Sequence, residues 1–358
     1  MTAPFRLYGA ELSPYSVKVR SYLRYKGLDF EWRARTNATQ EEFQRYAKLP
    51  LIPVLVDADE TALQDSTPII EKLEAEYADA SITPDEPSLA FLSALIEDYA
   101  DEWLNKAMFH YRWTYPEDQE SAAKRISDMI FEGAEKPEGI EEQIRTRMIS
   151  RLYHVGSSAE TAPLIEGSFT RVLGLLNDLL GKRPYLFGGR PSLADFGLAG
   201  QVAQLNSDPT PGALLRAQAP NVVKWLQRMD APKAEGAFAS FADVRGDVEE
   251  LLRAEIAGAY LIWMDANARA VANDANGVSV DIAGTTFVQK PQRYAAKALG
   301  ELKRKRAGVD DEALTALLAA TGVDALLAVF ARDDDAAEEE DSGDDEAGED
   351  EEAEREEE

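Results

Sequence analysis

The order of strand-like and helix-like segments over the first 77 residues constrains this chain more than any other feature. Phe5-Arg-Leu-Tyr8 reads as a short strand. Residues 14–26 follow as a helix opened by Pro14, with Val17, Val19, Tyr22 and Leu23 on its buried face and Lys18, Arg20 and Arg24 on its wet one. Gly27 stands where a helix C-cap is expected. Phe30-Glu-Trp32 reads as a second strand and residues 41–47 as a short helix. Leu51-Ile-Pro-Val-Leu-Val56 is a buried strand entered through a proline, and a turn at 57–60 returns it along Thr61-Ala-Leu63. Asp65-Ser66 then precedes a helix over 67–77. The order β-α-β-α-β-β-α cannot be closed by hairpins alone, so the spacing predicts a mixed sheet with helical crossovers.

Pro84, Asp85 and Pro87 mark residues 78–88 as a linker. Beyond it the periodicity is helical, over 89–113, 119–131, 141–153, 160–180, 192–205 and 220–229. A further helix over 248–273 leads into a β-hairpin at 278–288, turning at Ala283-Gly284, and helices over 293–306 and 312–330 end the pattern. The expected organisation is four regions: an α/β domain over 1–79, an all-helical domain over 89–232, a helical extension with a hairpin over 247–332, and a tail over 333–358. The tail has almost no apolar residues with which to build a core and is expected to be disordered. No repeat of 20–50 residues is visible.

The formal charge of −28 belongs largely to that tail. Eighteen of the 66 acidic residues and one of the 38 basic ones lie there, leaving 48 acids against 37 bases in the other 332 residues. Nothing supplies a basic stripe, so no nucleic-acid partner is expected. No apolar run is long enough to span a bilayer, and the N-terminus lacks the charged and apolar regions of a secretory signal, so no membrane association is expected and a cytoplasmic location is. Cysteine is absent, which excludes disulfides, thiolate metal sites and a cysteine nucleophile. The only histidines are His110 and His154, and no metal site is expected.

Four motifs occur in order. Leu12-Ser13-Pro14-Tyr15-Ser16 has the form of a glutaredoxin or glutathione-transferase active-site turn, with Ser13 before the proline that opens the first helix. Ile52-Pro53 is similar to the cis-proline of that fold, and Gln64-Asp65-Ser66-Thr67-Pro68-Ile69-Ile70 to its acidic-Ser segment at the next helix start. Ser192-Leu193-Ala194-Asp195 resembles the helix-start signature of the helical domain. Over residues 5–230 the chain thus resembles the glutathione S-transferase superfamily, in particular bacterial members of unassigned class with a serine-type turn. The resemblance implies a thioredoxin-like N-terminal domain, an all-α C-terminal domain, glutathione as co-substrate, a small hydrophobic electrophile as second substrate, and a homodimer.

Ser13 at the N-cap places a ligand sulfur at the positive end of the helix dipole, with a hydroxyl to donate to it. Both effects favour thiolate over thiol, so the resemblance makes Ser13 the catalytic residue, stabilising the glutathione sulfur rather than attacking. It makes Ile52 and Pro53 the backbone that receives the cysteinyl unit. Asp65 and Ser66 become the pair that receives the ammonium and carboxylate of the γ-glutamyl end. Ser16 and Tyr8 are weaker candidates for the sulfur contact, read more simply as a first-turn helix residue and a core residue. Phe109, Tyr111, Trp113 and Tyr115 are candidate walls of the electrophile pocket, and His110 is read as packing. The chain departs from several serine-type classes by carrying Pro50 and Leu51 where a glutathione-holding lysine stands, with Lys48 out of register. A thiol-free turn cannot perform disulfide exchange. The alternative to conjugation is a non-catalytic binding or regulatory module of the same fold, and related thiolate chemistries such as isomerisation, ether cleavage or dehalogenation would differ only in the pocket.

Overall fold

A computed structural model of the chain describes residues 4–328. The tail expected to be disordered lies outside the described residues.

The first half of the expected architecture is a four-stranded sheet in the order β2-β1-β3-β4, built from β1 (Phe5–Gly9), β2 (Phe30–Ala34), β3 (Val54–Val56) and β4 (Ala62–Gln64). β2 runs parallel to β1, with Leu7 opposite Trp32, because helix α1 (Pro14–Lys26) carries the chain across. β3 is antiparallel to β1 with Leu7 opposite Leu55, and β4 antiparallel to β3. Alternation assigns the faces. Leu7 and Leu55 join the core under α1 and α3 (Ser66–Glu76), whereas Tyr8, Val54 and Val56 pack on the other side against Phe43 of α2 (Gln40–Tyr46). Gly27 ends α1 in the left-handed conformation, φ 65°, as its C-cap position predicts.

The helical body begins with α4 (Pro87–Tyr99), which runs through a wide π-helical turn at Ala100–Leu104 into α5 (Asn105–Thr114). It continues with α6 (Pro116–Phe131), α7 (Ile140–Ile149), a 3₁₀ turn at Leu152–Val155, α8 (Ala162–Leu180), α9 (Leu193–Ser207), α10 (Pro209–Gln218) and α11 (Pro220–Asp230). Helix α10 was not legible in the sequence: it is short, two prolines fall in its first turn, and it buries only Pro211, Gly212 and Leu215, too few to mark a helical period. At the head of α9 the Asp195 carboxylate accepts from the Ser192 N–H at 2.9 Å, the Leu186 N–H at 3.0 Å and the Trp225 indole at 3.1 Å, which gives this aspartate a structural use.

The extension comprises α12 (Phe241–Leu251), a π-helical stretch (Leu252–Tyr260), α13 (Leu261–Ala272), the hairpin of β5 (Val278–Ile282) and β6 (Thr285–Gln289), then α14 (Arg293–Ala307), α15 (Glu312–Thr321) and α16 (Val323–Ala328). Its first helix starts seven residues before the predicted onset at 248, because Ser240 caps it through the Asp243 N–H. The single helix expected over 312–330 is divided at Gly322, whose φ of +84° an α-helix cannot contain. Phe241, Ile256, Trp263 and Phe287 belong to one buried cluster with Trp103, Phe169 and Phe196 of the helical body. Polar ties cross the same boundary. Tyr99 Oη donates to Glu255 at 3.0 Å, and Lys106 Nζ donates to Gln289 at 3.0 Å while lying 3.7 Å from the Trp263 ring centroid. Among the described residues no helix is long and apolar enough to cross a membrane, and no group of His, Cys, Asp and Glu could hold a metal ion.

Candidate active site

Ser13 is half-buried and caps α1 as its sequence position predicts: its φ and ψ are −98° and 118°, and its Oγ accepts from the Ser16 N–H at 3.2 Å. No donor bond from the Ser13 hydroxyl is formed within the described residues, so its proton is available to a ligand. The turn is held from the helical body. Arg112 of α5 donates to the Leu12 carbonyl at 2.9 Å, and Gln204 of α9 donates to the Glu11 carbonyl at 2.8 Å. Arg112 is itself fixed by Asp208 at 2.8 Å and Gln204 at 2.9 Å. Ser16 is fully buried, its hydroxyl without a partner, and lies so close to Gly9 that a Cβ at position 9 would come within 2.8 Å of it. That enclosure leaves Ser13 as the serine of this turn that can reach a ligand.

The Ile52-Pro53 peptide is cis. Neither the N–H nor the C=O of Ile52 is used by a hydrogen bond among the described residues. The loop before it is clamped by Gln64, whose amide accepts from the N–H groups of Lys48 and Leu49 and donates to the carbonyls of Leu49 at 2.8 Å and Leu51 at 2.7 Å. Arg35 adds a bond to the Pro50 carbonyl at 2.6 Å. This loop is therefore ordered by a glutamine and an arginine, with no lysine needed for its shape.

Asp65 donates its N–H to the Pro53 carbonyl at 3.2 Å, which joins the cis-proline loop to the start of α3. Its carboxylate does not cap that helix. It accepts instead from the Tyr294 hydroxyl of α14 at 2.6 Å. Ser66 is buried, and next to it lies Lys18, which the helical pattern of α1 had placed in water. Lys18 is 1% exposed, because α4 brings Glu97 and the π turn brings Asp101 against it. Its ammonium bonds Glu97, Asp101 at 2.6 Å and Thr67 at 3.0 Å, and reaches Ser66 at 3.5 Å. Burial opposes the charge on Lys18, and the two carboxylates outweigh it and hold the pKa above the usual lysine value. Burial likewise pushes Asp101 upward, against the pull of Lys18.

The remaining candidates separate. Tyr8 is fully buried and packs on Phe43 and Tyr46, on the α2 side of the sheet. Tyr111 and Trp113 are core, and Phe109 and Tyr115 keep partial exposure. His110 is 1% exposed and packed, with Nδ1 2.7 Å from Ser157 Oγ and Nε2 3.0 Å from Glu166. Sequence reasoning missed Lys18, Arg112 and Tyr294 as residues of this region. Gln64 stood inside a quoted motif, but the other three meet their partners across 48 to 229 residues, and no local pattern carries that information.

A small mixed sheet with a serine-headed first helix and a cis-proline loop, followed by a helical body, defines a thioredoxin-like domain joined to an all-α domain. A family model for the glutathione S-transferase N-terminal domain matches residues 7–81, and one for the C-terminal domain matches residues 142–228. The isoprene-epoxide–glutathione S-transferase of Rhodococcus sp. (strain AD45) is 27% identical over 230 residues, covering 61% of this chain and 92% of that protein. Glutathione S-transferase 3 of Zea mays is 27% identical over 242 residues, covering 65% and 91%. Among solved structures, the β-etherase LigF from Sphingobium sp. strain SYK-6 is 21% identical with a TM-score of 0.48, covering 64% of this chain and 96% of that one. The chain belongs to the glutathione S-transferase superfamily. Its extension from Phe241 onward lies beyond both matched segments.

Proposed function

We propose that the protein is a glutathione transferase in which Ser13 stabilises the thiolate of bound glutathione for attack on a small hydrophobic electrophile. The observation that carries this reading is the Ser13 hydroxyl, whose oxygen is committed to the Ser16 N–H and whose proton is free to be donated at the head of α1. A sulfur placed there gains a hydrogen bond and the favourable end of the helix dipole, and loses its proton to solvent more readily. The thiolate forms the new carbon–sulfur bond, and the electrophile's leaving group or opened ring takes up the electron pair. Ile52 and Pro53 offer the cysteinyl backbone an unused N–H and C=O, and Asp65 and Ser66 receive the γ-glutamyl end. No metal takes part in this reading, and the protein works as a cytoplasmic homodimer. Glutathione turnover against a panel of epoxides, aryl halides and aryl ethers, with and without Ser13→Ala, tests it. A wild-type protein that conjugates none of them while still binding glutathione would instead favour a non-catalytic binding module, a reading supported by the tie between the extension and Asp65.

A further inference from the structure

Asp65 heads α3 with a φ of +82°, a conformation uncommon for a residue with a side chain, and its carboxylate does nothing for the helix it precedes. That carboxylate is engaged from the extension. Tyr294 Oη donates to Asp65 Oδ2 at 2.6 Å, and Lys305 of the same helix bonds Glu71 of α3 at 2.7 Å, so α14 is fixed over the start of α3 at two points. Between α3, the π turn and α14 lies a cavity of about 320 Å³ lined by Thr67, Asp101, Glu102, Tyr294 and Lys297 among others. Asp101 and Glu102 are each 8% exposed. Asp101 Oδ1 is buried without a partner, and no hydrogen bond to Glu102 forms among the described residues. Burial pushes both carboxyls toward their protonated forms, so the cavity is a polar one, with Tyr294, Lys297, Arg304 and Lys305 on its extension side.

We infer that Tyr294 is a positioning residue for the ammonium of the γ-glutamyl end: by holding Asp65 Oδ2, it presents Oδ1 to the ligand and makes the extension part of the glutathione site. This inference rests on the glutathione reading given above. Its physical content is pre-organisation. A carboxylate that is already ordered loses less freedom when it accepts a charge-assisted bond from an ammonium. Lys297, one turn along α14 from Tyr294, lines the same cavity.

The test is calorimetric titration of the full-length protein and its Tyr294→Phe variant. Two ligands are used: glutathione, and its analogue in which hydrogen replaces the α-amino group of the γ-glutamyl residue. Phenylalanine keeps the ring and removes only the donor. The wild type is expected to prefer glutathione over the analogue by about tenfold or more, the worth of one charged hydrogen bond. In Tyr294→Phe that preference shrinks several-fold, while affinity for the analogue stays within about twofold. An unchanged preference, equal weakening of both ligands, or tighter glutathione binding in the variant overturns the role of Tyr294 and leaves glutathione binding standing. A wild type that binds neither ligand overturns both.

Discussion

Arg112 donates to the carbonyl of Leu12 at 2.9 Å, so a helix one hundred residues downstream holds the peptide that precedes Ser13. The same guanidinium is buried against Asp208, which is 1% exposed and also takes a bond from Arg125. Arg112→Ala leaves the Asp208 carboxylate enclosed with one partner fewer and should destabilise the protein by about 3–5 kcal/mol. Arg112→Lys keeps the charge and loses the planar fork that serves Leu12, Asp208 and Gln204 together. The lysine variant is expected to fold with a lowered melting temperature and a kcat that falls more than KM rises. Denaturant unfolding and steady-state kinetics on the two variants check this; equal stability of Arg112→Ala and wild type would refute it.

Removing the Ser13 hydroxyl should cost glutathione its sulfur donor. Ser13→Ala is predicted to lower turnover by roughly ten- to a thousand-fold, the range seen when one donor to a charged centre is lost. The absorbance titration of bound thiolate should also move its midpoint upward, toward about 8.5, the ordinary thiol value. A midpoint that does not move would assign thiolate stabilisation to other groups.

The buried carboxyls give stability an acid-side optimum. Burial pushes Asp98 up to about 7, against the hydrogen bond from Tyr260, and Asp195 up to about 6, against bonds from Ser192, Leu186 and Trp225. Between the ordinary carboxyl value and these, the native state holds protons that the unfolded chain has released, so stability falls as pH rises through the window. Lys106 acts in the opposite sense: burial lowers its pKa, and it returns stability as pH rises above neutrality. The melting temperature should be higher near about pH 5.5 than near about pH 7.5, and Asp98→Asn should flatten that slope. Differential scanning calorimetry at the two pH values decides it, and a wild type that melts lower at the acidic pH would contradict the assignment.

Gly156 seats the hairpin. Its φ of +66° belongs to the left-handed region, and a Cβ there would come within 2.3 Å of the Phe287 ring of β6. Gly156→Ala should therefore displace Phe287 from its place beside Trp103 and destabilise the protein by about 2 kcal/mol or more, combining backbone strain with overpacking. Urea unfolding measures the loss, and a change below about 0.5 kcal/mol would show that the hairpin yields without cost.

What the sequence disclosed and what it concealed divide by range. The N-cap at Ser13, the C-cap at Gly27, the succession of strands and helices and the hairpin turn at Ala283-Gly284 are local, and local chemistry announces them. Lys18 shows the limit. Its position on α1 is polar by periodicity, yet Glu97 and Asp101 arrive from another domain and bury it, a pairing that no window of the sequence contains. The same holds for Asp65. Its residue type and its place before a helix suggested a polar site, and only the fold shows that its carboxylate is taken up by Tyr294 instead of by α3. The extension read correctly as helices around a hairpin, but its fusion with the core through Trp263 and Phe287 is a matter of tertiary packing.

The most direct test of the central claim is calorimetric titration of the full-length protein with glutathione. Saturable binding is expected with one glutathione per chain, weakened by Asp65→Asn and accompanied by proton release that Ser13→Ala suppresses. Absence of binding heat, together with an unshifted melting temperature at millimolar glutathione, would contradict it.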